Sequence, residues 1–525
     1  MTAPARELSA AGRMLLPTRA RPWTDSIVRN AAIPRPHGRL LIASNRLPVT
    51  VTDEGLGLTI RPSVGGLATG LQRVHERSNG KWIGWPGSTD HLDCFTQHEM
   101  MRQFDAQRVV PVNLGCAAEL DRYARVANGA LWPAFHDRID LARIEPEGWN
   151  AYESVNERFA DALAQEYRTG DIVWVHDYHL LRVPALLRER IPDARIGFFL
   201  HIPFPHCDLF STLPARRELL IGMLGADLIG FHTERYRDNF AQNLDRVLGT
   251  RAVNDGDEIS LTWGSRSVHL GAYPMGIDAE VFEAHARSNA QSITQALEFR
   301  TNGMRTLLGV DRLDYSKGLV QRLLGFELLL TQQPRWRERV RLVQVAVPSR
   351  ENVPAYRRHR REVETLVARI NGKFGTPNWT PVVHLHQSFP PESVVALYRT
   401  ADVMLVTPLR DGMNLVAKEF VASRIDGDGV LVLSEFAGAA EQLTEALPVN
   451  PYDVRNVAEA INAALVMPRG ERRVRMLQMR AQVHARDVHW WANSFLGKLM
   501  NVATACDVEF PYRAHPVELV VHCNA

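Results

Sequence analysis

Residues 403–423, VMLVTPLRDGMNLVAKEFVAS, join a short apolar run to a helical pattern through a polar turn. The run VMLV does not alternate polar and apolar residues, which is typical of a strand covered on both faces in a parallel sheet. Gly412 and Asn414 allow a tight turn, and the first amides of the following helix have no acceptor within that helix. Together with the helix dipole, such amides bind anions or hydroxyl oxygens. The stretch therefore predicts a ligand-binding strand–turn–helix unit of an α/β protein.

The same theme recurs along the chain as an apolar run, then polar residues, then a helical period. In the first half the runs are LLIAS (40–44), IVWV (172–175), RIGFFL (195–200), DLIGF (227–231) and HLGAY (269–273). In the second half they are TLLGV (306–310), VRLVQVAV (340–347), VVHL (382–385), VMLV (403–406) and VLVL (430–433). Two series of such units predict two doubly wound domains that meet near residues 274–277. Residues 254–268 are predicted to form a hairpin that turns at Gly264 and Ser265.

Polar side chains cluster where these runs end. In the first half they are Ser44, Asn45, Arg46, His176, Asp177, Tyr178, His179 and His201. In the second half they are Arg312, Lys317, Ser349, Arg350, Arg410, Asp411, Ser434 and Glu435. Ligands of open α/β sheets bind at the carboxyl ends of the strands. Two such edges that face each other predict an enzyme with its site in a cleft between two domains.

The second half carries groups suited to a phosphorylated sugar. Arg312 and Lys317 are two cations five residues apart after a strand, a spacing that suits a diphosphate, although a pair of exposed salt bridges is the alternative. Asp411 can accept from two sugar hydroxyls and Glu419 from a ribose, whereas a helix cap and a surface glutamate are the structural alternatives. The glycine-rich segment 63–71, SVGGLATGL, is a further candidate phosphate site, but it matches neither the dinucleotide motif nor the P-loop.

Composition excludes several other classes of protein. The 525 residues carry a net charge of +2, so no strong field would attract nucleic acid or an anionic membrane. The five cysteines are scattered without a CxxC pair, which favours a reducing, cytoplasmic setting. His176 and His179 lack the further ligands of a zinc motif, and the Asp255-Gly256-Asp257 stretch is typical of a turn rather than of a metal site. We therefore expect no bound metal.

A set of motifs in order along the chain identifies a family. The segments are SNRLPV, GGLATGL, NGALWPAFH, WVHDYHLL, GFFLHIPFP, LIGFHT, VDRLDYSKGL, INGKFG, WTPV, TPLRDGMNLVAKEF, LSEFAGAAEQL and VNPYD. From about residue 39 to about residue 500 the chain resembles the trehalose-6-phosphate synthases of glycosyltransferase family 20. The resemblance implies the α/β GT-B fold, with two Rossmann-like domains facing across a cleft. It implies an acceptor domain over 39–278, completed by a C-terminal helix over about 489–505, and a nucleotide-sugar domain over 279–488. Residues 1–38 and 506–525 are expected to be tails, the first of them basic and disordered.

The same resemblance assigns site residues. Arg312 and Lys317 match the diphosphate clamp and principal catalytic groups, and His201 matches a residue near the 6-hydroxyl of the donor sugar. The remaining donor-binding matches are Gly66, Asp411, Gly412, Met413, Asn414, Leu415 and Glu419. Those for the acceptor are Arg46, Trp85, Tyr123, Trp132, Asp177 and Arg350, and both Asp177 and His201 are counted among the catalytic residues.

The implied reaction moves glucose from UDP-glucose to glucose 6-phosphate with retention of configuration and without a metal. The expected partners are these small molecules and further copies of the chain, with no nucleic acid and no membrane. A related enzyme with another acceptor, such as a glucosylglycerol-phosphate synthase, and a catalytically silent sugar-phosphate sensor are the alternatives. One departure concerns the acceptor: YARVAN (123–128) stands where relatives have Tyr-x-x-Phe-Ser-Asn, so Val126 and Ala127 replace an aromatic and a hydroxyl.

Overall fold

A computed structural model of the chain describes residues 38–53, 58–62, 66–89, 92–255, 258–288 and 303–502. The strands are β1 Leu40–Arg46, β2 Val49–Asp53, β3 Leu58–Pro62, β4 Lys81–Trp85, β5 Val109–Pro111, β6 Ile172–His176, β7 Arg195–Phe199, β8 Leu228–Phe231, β9 Val253–Asp255, β10 Glu258–Trp263, β11 Arg266–Ala272, β12 Arg305–Arg312, β13 Val340–Val347, β14 Val382–Leu385, β15 Val403–Val406, β16 Val430–Ser434 and β17 Leu447–Val449. The expected tails 1–38 and 506–525 lie outside these ranges except for residue 38, and so does most of the Asp255-Gly256-Asp257 stretch.

The described α-helices connect these strands and cover the sheets. They are α1 Gly66–Ser78, α2 Cys94–Ala106, α3 Ala117–Val126, α4 Trp132–Phe135, α5 Pro146–Glu166, α6 Val183–Arg190, α7 Cys207–Phe210, α8 Arg216–Met223, α9 Glu234–Leu248, α10 Ala279–Ser288, α11 Leu319–Gln332, α12 Pro354–Phe374, α13 Pro391–Thr400, α14 Leu415–Ser423, α15 Val454–Val466, α16 Arg469–Ala485 and α17 Val488–Asn501. Among the described residues, no helix has both the length and the apolar composition needed to cross a membrane.

The first half of the chain builds a nine-stranded sheet in the order β5-β4-β1-β6-β7-β8-β11-β10-β9. Neighbouring strands from β5 to β11 are parallel, whereas β10 is antiparallel to both β11 and β9. The chain runs outward from β1 to β5 and then returns to β6 on the other side of β1. Such a reversal is a topological switch point, where the loops at the carboxyl ends diverge and leave a crevice.

The second half builds a six-stranded, all-parallel sheet in the order β14-β13-β12-β15-β16-β17. Numbered from β12, this is the 3-2-1-4-5-6 order of the Rossmann fold, with its switch point between β12 and β15. All the apolar runs predicted as strands lie in strands of these two sheets. The predicted α/β class with two doubly wound halves is therefore confirmed. The predicted hairpin is confirmed as well, because β10 and β11 pair through a turn at residues 264–265.

Both faces of each sheet are buried. In β15, Met404 and Val406 pack into one apolar core, whereas Val403 and Leu405 pack into a second core on the opposite face. A strand that must supply two cores needs apolar residues at consecutive positions, which explains the unbroken VMLV run. The polar residues of the unit are thereby excluded from the strand and lie in the turn that follows it.

The last described helix, α17, packs on the first sheet although it follows the second in sequence. Its Phe495 stacks on Trp174 of β6 with ring centroids 4.9 Å apart. Gly197 and Gly230 make room for it, since a Cβ at either position would lie 2.7 Å from ring atoms of Phe495. The N–H of Val488 donates to the carbonyl of Ile277 at 3.1 Å, so the two chain crossings between the halves lie side by side.

We predict that Phe495→Ala destabilises the protein. The side chain is fully buried, and truncating such a phenylalanine costs about 3–5 kcal/mol because a cavity is left behind. Thermal unfolding followed by circular dichroism should show a clearly lower melting temperature. The control is Phe95→Ala, whose side chain is 83% exposed and should leave the transition unchanged. Equal melting temperatures for the two variants would contradict the packing of α17 described above.

Candidate active site

The two switch points position most of the candidate residues. Arg46 is the last residue of β1 and Asp177 directly follows β6, so they flank the switch point of the first sheet. Arg312 is the last residue of β12 and Asp411 lies five residues beyond β15, so they flank the switch point of the second sheet. Each sheet therefore presents one cationic and one acidic side chain at its crevice.

Lys317 and Asp411 form the centre of the second crevice. The Lys317 ammonium donates to Asp411 Oδ2 at 2.6 Å, and the Asn414 side-chain amide donates to the same oxygen at 2.9 Å. Asp411 is buried, and burial acts to raise its pKa, but Lys317 outweighs this and holds the pKa of Asp411 below its ordinary value. The carboxylate is thus ionised, and its Oδ1 remains available to accept from a ligand hydroxyl.

The turn that carries Asp411 ends in a capped helix. Asn414 has a φ of 74° and accepts from the amide of Ala417 at 3.3 Å, which makes it the N-cap of α14. Leu415 is the first helical residue, and Met413 is buried, with its carbonyl accepting from Ala439 at 2.8 Å. The first amides of α14 have no acceptor within the helix and carry its positive dipole end. The anion or hydroxyl site at this turn stays a prediction, and these amides are the donors that it would use.

Gly412 brings the backbones of the two halves together. A Cβ on this residue would lie 2.1 Å from the carbonyl oxygen of His201 in the first half. The Tyr236 hydroxyl, also in the first half, donates to the Asp411 carbonyl at 2.9 Å, and Arg410 forms an ion pair with Asp137. Only glycine fits at this approach, so the residue serves packing between the halves as well as the turn.

Glu419 and Gly66 are the remaining donor candidates. Glu419 is half-buried on α14 and accepts from the Tyr398 hydroxyl at 2.9 Å. Burial raises the pKa of Glu419 to about 6, so the group changes charge just below neutral pH. Gly66 is the first residue of α1, and the preceding residues 63–65 of the glycine-rich segment lie outside the described ranges.

The first sheet contributes an aromatic wall beside Arg46. The Arg46 guanidinium lies over the ring of Trp85, 4.0 Å from its centroid. Tyr123 is buried nearby, and its hydroxyl donates to the side-chain oxygen of Asn45 at 2.8 Å. A guanidinium supported by an aromatic face keeps its N–H edge free for an anion.

Asp177 and His201 lie next to each other at the carboxyl ends of β6 and β7. Asp177 has a φ of 74°, and its carboxylate accepts from the His201 amide at 3.2 Å. Burial raises the pKa of Asp177 to about 6. His201 Nε2 lies 3.0 Å from His176 Nδ1, and burial, followed by His176 and His232, lowers the pKa of His201 well below its ordinary value. His201 is therefore a neutral imidazole with one nitrogen already engaged.

Trp132 joins the two edges. Its buried ring lies 4.1 Å from the Arg350 guanidinium carbon and 5.1 Å from that of Arg312. Both arginines come from the second half, whereas Trp132 belongs to the first. Burial lowers the pKa of His179 well below its ordinary value, and Arg350, Arg46 and Arg312 lower it further. Three guanidiniums thus act on one small region, which favours a ligand with several negative charges.

Sequence reasoning assigned no role to three groups that contact Arg350, although Tyr178 was among the polar side chains predicted at the strand ends. Tyr178 and Tyr356 each accept from Arg350, at 2.7 and 2.6 Å, and Asp314 is a fully buried acid beside it. Burial acts to raise the pKa of Asp314, but Arg312 and Arg350 hold it well below its ordinary value. Asp314 lies inside RLDYSKG and Tyr178 inside HDYH, so their position within motifs already singled out was the available signal.

A cluster with metal-ligand chemistry occurs elsewhere. Among the described residues, the only three such groups with ligand atoms close enough to share an ion are the consecutive residues His206, Cys207 and Asp208. None of the candidate site residues belongs to it. The expectation that catalysis needs no metal stays a prediction.

Comparisons with known proteins agree on one family. The sequence profile of glycosyltransferase family 20 matches residues 38–501. A bifunctional trehalose-6-phosphate synthase/phosphatase of Thermoproteus tenax is 42% identical over 481 residues, covering 89% of this chain and 64% of that relative. The chain therefore spans less than two thirds of the length of that relative. A trehalose-6-phosphate synthase of Mycolicibacterium vanbaalenii is 43% identical over 468 residues, covering 87% of this chain and 95% of the relative.

A solved structure extends the likeness to three dimensions. An α,α-trehalose-phosphate synthase (UDP-forming) from Burkholderia xenovorans, in complex with glucose-6-phosphate, superposes with a TM-score of 0.78. It is 34% identical and covers 88% of this chain and 100% of its own. The two facing doubly wound halves described above are thus the GT-B fold.

We predict that Gly412→Ala loosens the contact between the halves. The new Cβ would overlap the His201 carbonyl, and overpacking of this kind costs about 1–3 kcal/mol. Hydrogen–deuterium exchange should become faster in peptides that contain residues 201–203 and 411–418, because local opening becomes easier. The control is Gly470→Ala in α16, where the new Cβ would meet no atom within 4 Å beyond its chain neighbours and the backbone of its own helix. Unchanged exchange in Gly412→Ala would contradict the close approach.

Proposed function

The chain belongs to glycosyltransferase family 20, and we propose that it moves glucose from UDP-glucose to glucose 6-phosphate. The products are α,α-trehalose 6-phosphate and UDP, with retention at the donor carbon. The observation that carries this proposal is the meeting of Arg312 and Arg350 over Trp132, which offers two adjacent anion sites at one crevice. A diphosphate beside a sugar phosphate would occupy both. The glucose-6-phosphate complex of the Burkholderia relative supports the acceptor.

We assign the donor to the second half, over residues 279–488. Arg312 and Lys317 would hold the diphosphate, with the amide of Gly66 beside it. Asp411 would accept from glucose hydroxyls through the oxygen that Asn414 and Lys317 leave free. The backbone of residues 412–415 would meet sugar and phosphate at the start of α14, and Glu419 would accept from the ribose.

We assign the acceptor to the first half, over residues 39–278 with α17. Arg46 and Arg350 would grip the phosphate of glucose 6-phosphate, one from each half. Tyr123, Trp132 and Trp85 would form the walls of the sugar site. Asp177 would accept from a sugar hydroxyl, and His201 would lie near the 6-hydroxyl of the donor glucose.

In the proposed mechanism the anomeric hydroxyl of the acceptor attacks the donor carbon on the face that the phosphate leaves. The bond between that carbon and the phosphate oxygen breaks, and the leaving phosphate takes the proton of the hydroxyl. Arg312 and Lys317 stabilise the charge that develops on UDP. Lys317 is already directed by Asp411, so the diphosphate meets a cation whose position is set before binding. This route needs no carboxylate nucleophile and, with two cations in place, no metal.

The two alternatives are less well supported. A glucosylglycerol-phosphate synthase also takes a phosphorylated acceptor, so Arg46 and Arg350 suit both enzymes, but the aromatic walls beside them suit a sugar ring better than the smaller glycerol. A silent sensor would lack donor groups, whereas Lys317, Asp411 and Asn414 form a connected network. Cytoplasmic location and self-association also belong to this proposal, and the free Cys94, Cys116 and Cys207 are compatible with a reducing setting.

The experiment that tests this function measures turnover of purified protein with UDP-glucose and either glucose 6-phosphate or glucose, each without and with EDTA. We expect product only from the phosphorylated acceptor.

In Arg46→Ala and Arg350→Ala the KM for glucose 6-phosphate should rise about ten- to a hundredfold, since each charge-assisted bond contributes about 1.5–3 kcal/mol. The exposed Arg358→Ala is the matched control and should behave as wild type. Equal use of both acceptors would refute the phosphate clamp, and loss of turnover in EDTA would refute metal independence.

We further predict that UDP binding weakens on acidification through Glu419. Because the pKa of Glu419 is raised to about 6, the carboxylate is ionised above that pH and protonated below it. A neutral acceptor binds the ribose hydroxyls less strongly, so calorimetric affinity for UDP should fall about three- to tenfold between pH values well above and well below 6. The terminal phosphate of UDP titrates at about 6 as well. The informative comparison is Glu419→Gln, which should show a smaller fall; an identical fall in both proteins would exclude a role for Glu419.

A further inference from the structure

Arg350 is held from both halves of the chain. Its φ of 48° lies in the left-handed region that a residue other than glycine rarely adopts, so surrounding contacts must keep it there. Nη1 donates to the Tyr356 hydroxyl at 2.6 Å, within the second half. Nη2 donates to the Tyr178 hydroxyl at 2.7 Å, in the first half. The guanidinium also lies over Trp132 of the first half, 4.1 Å from the ring centroid.

The directions of these hydrogen bonds follow from chemistry. A guanidinium only donates, so each tyrosine hydroxyl must accept from Arg350 and use its own proton elsewhere. The Tyr178 proton goes to the side-chain oxygen of Asn128 at 2.9 Å, and the Tyr356 proton goes to Asp314 at 2.7 Å. The result is one continuous chain of hydrogen bonds that starts in the first half at Asn128 and ends in the second at Asp314.

We propose that Tyr178 is a positioning residue for acceptor choice, because it orients Arg350 toward the phosphate of the acceptor across the boundary between the halves. The inference rests on the proposed function and deepens it. A guanidinium has five N–H donors, and two are used by the tyrosines, which leaves three for a ligand. The guanidinium is fixed by its contact with the Trp132 ring and by its two hydrogen bonds to the tyrosines. Its three remaining N–H groups are therefore held in one plane before the phosphate binds.

Tyr178 reaches Arg350 because of its backbone. Asp177, with its positive φ, turns the chain sharply after β6, and Tyr178 opens the following 3-10 turn, Tyr178–Leu180. One turn thereby presents both Asp177 and the hydroxyl that holds Arg350. Preorganisation of this kind lowers the entropy lost when a ligand binds. Its benefit is specific to a phosphorylated acceptor, because an acceptor without phosphate makes no bond to Arg350.

The test is acceptor kinetics of Tyr178→Phe, which removes the hydroxyl and keeps the ring. The KM for glucose 6-phosphate should rise about tenfold, the change expected for one hydrogen bond to a charged group, with the KM for UDP-glucose unchanged. In an Arg350→Ala background the same substitution should have less than about a twofold effect, because two residues that act as one unit are not additive. Calorimetry of glucose 6-phosphate with UDP present gives the same comparison for binding alone.

The matched control is Tyr152→Phe. The Tyr152 hydroxyl bonds the carbonyl of Tyr178 and the amide of Leu181, so it supports the same turn without touching Arg350. We expect Tyr152→Phe to lower the melting temperature and to leave the KM for glucose 6-phosphate unchanged. A similar KM rise in both variants, or full additivity with Arg350→Ala, would overturn the proposal. If Tyr178→Phe does not fold, the test uses Asn128→Ala, which removes the side chain that accepts the Tyr178 proton. A wild-type KM for glucose 6-phosphate in Asn128→Ala would then overturn the proposal.

Failure of this inference can be told apart from failure of the proposed function. If wild type binds glucose 6-phosphate but makes no disaccharide from UDP-glucose, the proposed reaction is wrong. The binding comparison between wild type and Tyr178→Phe still decides the role of Tyr178. If wild type does turn over and Tyr178→Phe has the wild-type KM and affinity for glucose 6-phosphate, the reaction stands and the positioning role is wrong.

Discussion

The reversal of strand order at the centre of each sheet is the constraint on which the site depends. Parallel strands buried on both faces leave no room for polar side chains along their length, so the charged groups lie beyond the strand ends. At a switch point the loops on either side diverge, and the groups that follow β1 and β6, or β12 and β15, face an open crevice. Gly412 lets the backbones of the two halves touch, and Trp132 lies between the two edges, packed on Tyr178 of the first and beside Arg312 and Arg350 of the second.

Buried carboxylates offset the repulsion between the cations of the site and so allow it to fold without a ligand. Arg312 and Arg350 lie near the same ring, and their repulsion is offset by Asp314, which stays ionised although it is fully buried. Lys317 is balanced in the same way by Asp411. In the absence of a ligand, each of these carboxylates neutralises part of the positive charge that the ligand's phosphates would neutralise. If the acids neutralised every cation, no net positive charge would remain to bind an anion. The three cations, Arg312, Arg350 and Lys317, outnumber the two carboxylates, and the remaining positive charge attracts phosphate.

Much of this arrangement is predictable from the sequence, and the remainder has a physical reason for being hidden. The apolar runs predicted the strands, since unbroken hydrophobicity is the local signature of a strand in a doubly wound sheet. Arg46, Arg312 and Asp411 were predicted at strand ends for the same reason. The contacts of Arg350 with Tyr178 and Trp132 could not be predicted from local pattern, because they depend on how the two halves dock. Neither the positive φ of Arg350 nor the direction of the Tyr178 hydroxyl has a signal in sequence periodicity.

Packing within the first half explains why Val126 and Ala127 are compatible with the proposed sugar-phosphate acceptor. Val126 ends α3 and packs toward α5, where its Cγ2 would lie 2.8 Å from a Cβ on Gly148. Ala127 is fully buried and opens a π-helical turn, Ala127–Leu131, that leads into Trp132. Neither side chain belongs to the hydrogen bonds around Arg350, whereas the adjacent Asn128 accepts from Tyr178. The departure therefore lies in the packing of α3 on α5, outside the polar chain that we propose orients the acceptor arginine.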